Sequence, residues 1–544
     1  MLHAILILAY AGPFIAGAMF ALPEGGQGAS GAGVHASSVG PLGVVWLVPW
    51  LVATAAWGVS HAASVRGERV ASKVGSLRAI EASETMMRLA WLCTLLAVLG
   101  ACGLSRGQLP AGVAEVVREL PAWSRVLATS LAWMCLSLLP VLACVVGTLL
   151  SFARCDNRVH EALLTRSLDE GRPFVPPLGA WGFAWSRLRR HASLTLVPVV
   201  CIVVVGGVLA ALPSSVFEPV VMVVREGAHA LTGVLARLSS SAHAHGAGGV
   251  QAPPATVSSA SVREAAEGVL AVLAIFAIAP HALTRVFGAR RLGAGELRSR
   301  IEAVLATHKV RALGPCVLPS RDGEVNAMVV GAAWPSRYLL LTAPLLERLT
   351  KPQLEAVVAH EVAHLRLRHM PWLLVTALGA MLTGAWAGVG LARAGVALGL
   401  AAGSSTMVEL ASAMATGLAV VLGLAFGLWA FGAASRRFEW QADAFAVRHL
   451  ARQELAQTQL AHDSLMTANA AHTVRDMLQA VADANNFSTA RPDFRHGSIE
   501  QRQAKVLSLV GLPSRTLPID RVVVLIKLVS LLALVLAGGA MLLG

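Results

Sequence analysis

The sequence predicts a mainly α, polytopic helical membrane protein of about nine spans. Two observations carry that prediction. Of its 544 residues, 56% are hydrophobic and only 14% charged, with a mean hydropathy of +0.65, whereas an ordinary soluble domain is about 25% charged. The 44 Lys and Arg, which give a net charge of +13, are also spread unevenly, gathering in every second loop between the apolar runs. Disorder and a water-soluble globule of this size are both excluded, because so much apolar surface needs lipid to cover it.

A bilayer core about 30 Å thick takes about 20 apolar residues per helix. Runs of that kind lie near residues 2–22, 42–60, 89–105, 127–150, 194–212, 265–284, 372–392, 410–432 and 522–543. The first lacks a basic leader yet ends in Ala16, Gly17 and Ala18, small residues that also suit a signal-peptide cleavage site. Pro140, Pro198 and Pro280 fall within or at the end of spans, where membrane helices tolerate a kink.

The loops at 61–88, 152–193, 285–371 and 433–521 hold 36 of the 44 Lys and Arg, and the alternate loops only seven. By the positive-inside rule the first set faces the cytoplasm of a cell membrane. The basic balance therefore reports topology: the expected partner is the lipid bilayer, and no nucleic acid is expected. Two of these loops, 285–371 and 433–521, are long enough to form one small domain flanking the hairpin of spans seven and eight. On the other face, the Ser/Ala/Gly/Pro tract within 213–263 has linker composition, and its His243 and His245 read as linker. The segment just before it, Phe217 to Leu238, reads as a surface helix. The seven cysteines include no CxxC pair, so neither a thiolate site nor a disulfide framework is expected.

The sharpest chemical signal is His360, Glu361 and His364 in the spacing HExxH, within a segment whose Leu354, Val357, Val358, Ala359 and Val362 favour a helix. Four residues advance a helix by about one turn, so both imidazoles project from one face and can share a tetrahedral ion. Glu361, rotated by one position, stands where a carboxylate can take a proton from water activated by that ion. The motif alone also arises by chance in long Ala-rich chains. The extended form HExxHxxGxxH is ruled out, since Leu367 and Met370 occupy its glycine and third-histidine positions.

A third ligand can come instead from residues 435–447, where Glu439 precedes Asp443 by one turn. Glu439 would complete the ion's protein ligands, and Asp443 would orient a ligating imidazole. An ordinary juxtamembrane helix is the alternative. Topology favours the metal reading, because the two spans between the motifs return the chain to the same face.

HEVAHLRLRH together with RRFEWQAD resembles the membrane zinc endopeptidase family of bacterial HtpX and the CaaX prenyl proteases, in which HExxH is followed by ExxxD. His369 matches a further histidine that often follows the second ligand by five residues, and its offset from the ligand face marks it as a supporting residue. NAMVVG at 326–331 and the segment running from Tyr338 into the metal motif are similar to the family's edge strand, short strand and helix. FRHGSIEQRQAKVL resembles a segment with His-Pro and an Arg six residues after the His; His496 and Arg502 fill those positions, and Gly497 replaces the proline.

The resemblance implies a gluzincin-type metalloprotease domain, mostly helical with a small sheet, holding one Zn2+ per chain on His360, His364 and Glu439. Glu361 would be the general base, and His496 or Arg502 the donor to the carbonyl oxygen. Asn326 and Ala327 would begin the strand that pairs with an extended polypeptide substrate. The expected division is an N-terminal membrane region at 1–212, an outer loop at 213–263, the protease domain at 264–521 and a last span at 522–544. The expected activity is hydrolysis of membrane or membrane-associated proteins at the cytoplasmic face, in quality control. The alternatives are a signal-responsive regulatory protease, a CaaX-type processing enzyme, and a scaffold with a vestigial metal site.

Overall fold

The computed structural model describes residues 41–71, 77–104, 111–169, 179–189, 277–319, 324–331, 334–395, 405–457, 465–485, 488–515 and 517–543, with isolated positions between 215 and 226. The first and fifth apolar runs and the tract with His243 and His245 lie outside these residues, as does most of the segment from Phe217 to Leu238. The fold is mainly helical with one small sheet, as the sequence predicts.

One compact unit comprises residues 1–216 and 264–287. Its helices are α1 (Pro41–Ala71), α2 (Leu77–Leu104), the short α3 (Ala111–Glu119) and α4 (Ala122–Asp169). The second to fourth apolar runs fall on α1, α2 and α4, and α4 continues through Pro140 without ending. Where these helices meet, polar side chains find partners rather than lipid: Trp91 Nε1 donates to Thr148 Oγ1 at 2.6 Å, bridging α2 and α4.

The second unit contains residues 288–544. Its sheet has the order β1-β2-β4-β3, with β1 (Arg290–Arg291) antiparallel to β2 (Pro315–Leu318), β2 parallel to β4 (Tyr338–Thr342), and β3 (Ala327–Val330) antiparallel to β4. Strand β4 is central, and its middle residues Leu339, Leu340 and Leu341 are fully buried. Around the sheet lie α5 (Glu296–Thr307), α6 (Ala343–Arg348), α7 (Lys351–Arg366), α10 (Ala468–Ala484) and α11 (Ile499–Leu507). Three further helices are α8 (His369–Gly395), α9 (Ser405–Gln457) and α12 (Pro518–Leu543).

Helices α8 and α9 lie close enough that a Cβ on Gly384 would come within 2.5 Å of the Leu422 carbonyl oxygen, so only glycine fits there. Helix α9 is one continuous rod of 53 residues. It carries the eighth apolar run directly into the segment that bears Glu439 and Asp443, where the sequence suggested only a neighbouring stretch. Among the described residues, three helical segments are long and apolar enough to cross a bilayer: Leu138–Arg158, His369–Leu391 and Pro518–Gly538.

Candidate metal centre

Helix α7 starts with Pro352 in its first turn, and the Gln353 side-chain oxygen accepts from the Thr350 backbone N–H at 3.0 Å. Most of its circumference is buried, Leu354, Val357, Val358, Val362 and Leu365 included, so the helix threads the domain core and its register is fixed by packing. That places His360 and His364 on one side with Nε2 atoms 3.3 Å apart. Glu439 of α9 faces both, with Oε2 3.4 Å from His360 Nε2 and Oε1 3.7 Å from His364 Nε2.

Two nitrogens held about 2.0–2.1 Å from a tetrahedral zinc lie about 3.3 Å from each other, so the three donors match that geometry to within a few tenths of an ångström. Electrostatics agree. Burial opposes a charge on His360, but the Asp443 and Glu439 carboxylates outweigh it and raise the imidazole to about 10. Burial also pushes the Glu439 carboxyl up, yet His360, Arg502 and His364 hold it well below the usual carboxylate range. In contrast, burial drives His364 well below the ordinary histidine value. A fixed carboxylate beside a neutral imidazole and one that draws positive charge is a donor set suited to a cation.

Asp443, one turn beyond Glu439, has Oδ1 3.0 Å from His360 Nδ1, with that nitrogen aimed off the hydrogen-bond line. Its firm partner is Arg502, which donates from Nε to Oδ2 at 2.8 Å and from Nη2 to Oδ1 at 2.7 Å, a two-pronged pair among buried groups. Arg502 Nη1 lies 3.5 Å from Glu439 Oε2. The guanidinium is therefore turned toward the two carboxylates behind the imidazoles.

His496 is placed differently. Its side chain is 46% exposed, Nδ1 lies 2.9 Å from Asp493 Oδ2, and Nε2 lies 3.9 Å from Glu439 Oε1. Asp493 also accepts from the backbone N–H groups of Arg495 and His496, which makes a tight turn closed by Gly497 at φ +76°. Gly497 N–H donates to Asp493 O at 3.0 Å. Proline could supply neither that donor nor that φ, so this chain presents His496 through a different backbone from the His-Pro pattern. Gly497→Ala should cost about 1–2 kcal/mol by placing a Cβ in the left-handed region. Gly497→Pro should in addition displace His496, and a lower thermal midpoint with a larger loss of turnover in the proline variant would show it.

Glu361 is half-buried. Burial pushes its carboxyl up to about 7; the His360 imidazole opposes the rise and the Glu439 carboxylate adds to it. Ala327 opens β3, which among the described residues pairs only with β4 and so forms a sheet edge. Asn326 sits just before it, donating its N–H to Thr342 Oγ1 at 2.9 Å and accepting from Thr342 N–H at 2.9 Å. Ala327 and Val329 pack on the core cluster that includes α7.

Five residues beyond His364, a continued helix would turn His369 away. Instead α7 ends, Arg368 adopts φ +56°, and α8 starts afresh at His369. That break returns the fully buried His369 to within 3.0 Å of His364, Nδ1 to Nδ1, and stacks its ring on Phe438. Gln441 and Asp520, which lie beyond it, carry no signal in the sequence. Lys527 did carry a signal, as a charged residue in an apolar span, and it donates from Nζ to Leu367 O at 3.0 Å.

Residues 292–492 match the model of Peptidase family M48. No curated protein matches the chain. Among solved structures, the crystal structure of Ste24p from S. mikatae is similar with a TM-score of 0.40 and 13% identity, over 85% of this chain and 99% of that one.

Proposed function

The chain carries a Peptidase family M48 domain and is a metallopeptidase, and from that premise we propose a membrane-embedded, zinc-dependent endopeptidase that cuts membrane or membrane-associated proteins at the cytoplasmic face. The observation that carries the reading is the convergence of His360, His364 and Glu439, donors from two helices 75 residues apart in sequence, within 4.8 Å of one another. Zinc held there would supply a Lewis acid that makes water acidic and polarises a peptide carbonyl.

The chain's own residues do the rest. Glu361 accepts a proton from the attacking water and passes it to the departing amine. His496, braced by Asp493, donates to the carbonyl oxygen as negative charge develops there. Arg502 balances the buried charge of Asp443 and Glu439, which keeps Asp443 beside His360. The edge of β3 offers backbone N–H and C=O groups to an extended substrate, so grip depends little on sequence.

The 36-to-7 split of basic residues between alternate loops supports a cytoplasmic active site. Low sequence dependence of grip suits quality control of damaged membrane proteins. CaaX-type processing is compatible with the same chemistry and differs in yielding one defined carboxy-terminal product. Stripping the purified protein with a chelator should abolish cleavage of a model membrane substrate, and one equivalent of zinc should restore it. Cleavage that survives complete metal removal would sink the mechanism.

A further inference from the structure

Behind His364 runs a line of hydrogen bonds whose far end lies on the last apolar helix. His364 Nδ1 meets His369 Nδ1 at 3.0 Å, and His369 Nε2 meets Gln441 Oε1 at 3.0 Å. Gln441 Nε2 donates to Asp520 Oδ1 at 2.7 Å. Asp520 Oδ2 accepts from Arg448 Nη2 at 2.9 Å and from Leu517 N–H at 3.3 Å. Asp520 stands in the first turn of α12. His369 is fully buried, and Gln441 is only 6% exposed, so neither has bulk water as an alternative partner.

Every link in this line can be read in one direction only. An ionised carboxylate accepts and does not donate, so Asp520 must face the NH2 of Gln441. The Gln441 oxygen is then left for His369, whose proton must sit on Nε2. His369 Nδ1 is thereby an acceptor, and the proton of His364 must sit on Nδ1. The lone pair of His364 Nε2 is left facing His360 and Glu439. A ligating imidazole needs that tautomer.

We propose that Gln441 and Asp520 are positioning residues of the metal centre: Asp520, from the start of the last apolar helix, fixes the tautomer and ring orientation of His364 through Gln441 and His369. Helix α12 is on this account part of the site, although the three donors that would hold the ion, His360, His364 and Glu439, lie on other helices. A second tie from the same helix, Lys527 Nζ to Leu367 O at 3.0 Å, secures the carboxyl end of α7. The inference rests on the metallopeptidase reading above.

The test is zinc retention by the purified full-length protein against a graded chelator, with thermal unfolding measured in parallel. Gln441→Leu and Asp520→Leu should lose zinc about 10- to 100-fold more readily than wild type, the range typical when a ligand's outer partner is removed. Gln441→Glu separates direction from packing. A carboxylate at 441 still accepts from His369 Nε2–H, so zinc should be held nearly as in wild type even if facing Asp520 lowers the unfolding temperature. Cobalt substitution should show a changed ligand-field spectrum in the leucine variants and an unchanged one in Gln441→Glu.

Thr376→Val with Ser530→Ala is the control, because it breaks the 2.8 Å contact between Thr376 and Ser530, which also joins α8 to α12 but lies apart from the line. Wild-type zinc retention in both leucine variants would overturn the proposal while leaving the metal reading intact. So would equal zinc loss in the Thr376/Ser530 control or in Gln441→Glu. A wild-type protein that binds no zinc would instead remove the metal reading itself, and this inference with it.

Discussion

Glu361→Gln should abolish cleavage of a model membrane substrate while leaving zinc content near one per chain. Glutamine keeps the volume and an acceptor oxygen, so packing of α7 is preserved, but it takes up no proton near neutral pH. Loss of a positioned general base typically costs about 10²–10⁴-fold in rate. The half-buried carboxyl, pushed up to about 7, is a far better proton acceptor than an exposed glutamate, which places the loss toward the upper end of that range. His360, His364 and Glu439 are untouched, so metal analysis separates this variant from His364→Ala, which should lose zinc and activity together. Turnover by Glu361→Gln within a few-fold of wild type would rule out Glu361 as the base.

The parts of the centre that follow from helical period were legible in the sequence. His360 and His364 are one turn apart on a helix whose core packing is written in its apolar residues, and Glu439 and Asp443 repeat that spacing on α9. His369 was legible as a supporting residue but not in its placement, because the turn at Arg368 that returns it to His364 has no glycine to mark it. Gln441 and Asp520 were not legible at all. Their contact joins residues 79 positions apart, and a lone amide or carboxylate carries no period from which such a contact can be read.

Between His496 and Arg502, sequence alone left the donor role open, since both are basic and lie in one short segment. Their surroundings differ: Arg502 is spent on Asp443 behind the imidazoles, whereas His496 is half-exposed beside Glu439. The fold class was plain from composition. The sheet was legible only through the family resemblance, which pointed to β3 and the short strand after it; β1 and β2, two and four residues long, carried no comparable mark.

Arg502→Leu should destabilise the metalloprotease domain more than any other single change outside the apolar core. It strips the two-pronged partner from Asp443, which is 2% exposed, and breaking such a buried pair from one side costs about 3–5 kcal/mol. Arg502→Lys should recover only part of the loss, because a lysine keeps the charge but not the planar fork that reaches both oxygens. The pH dependence fixes the cause. Burial alone would push the Asp443 carboxyl up, but Arg502 and His360 hold it at about 2, below its ordinary 3.8. A carboxyl depressed on folding stabilises the protein fully above its unfolded pKa, and that contribution is lost as pH falls from about 4 toward 2. Wild type should therefore lose stability over that window and Arg502→Leu, lacking the pair, should lose less, so their thermal midpoints should converge. Chelator-treated protein is the right material, since a bound ion would add its own proton competition. A gap between the two midpoints that is absent at pH 7, or that stays constant down to pH 3, would show that the Asp443–Arg502 pair does not hold the domain together.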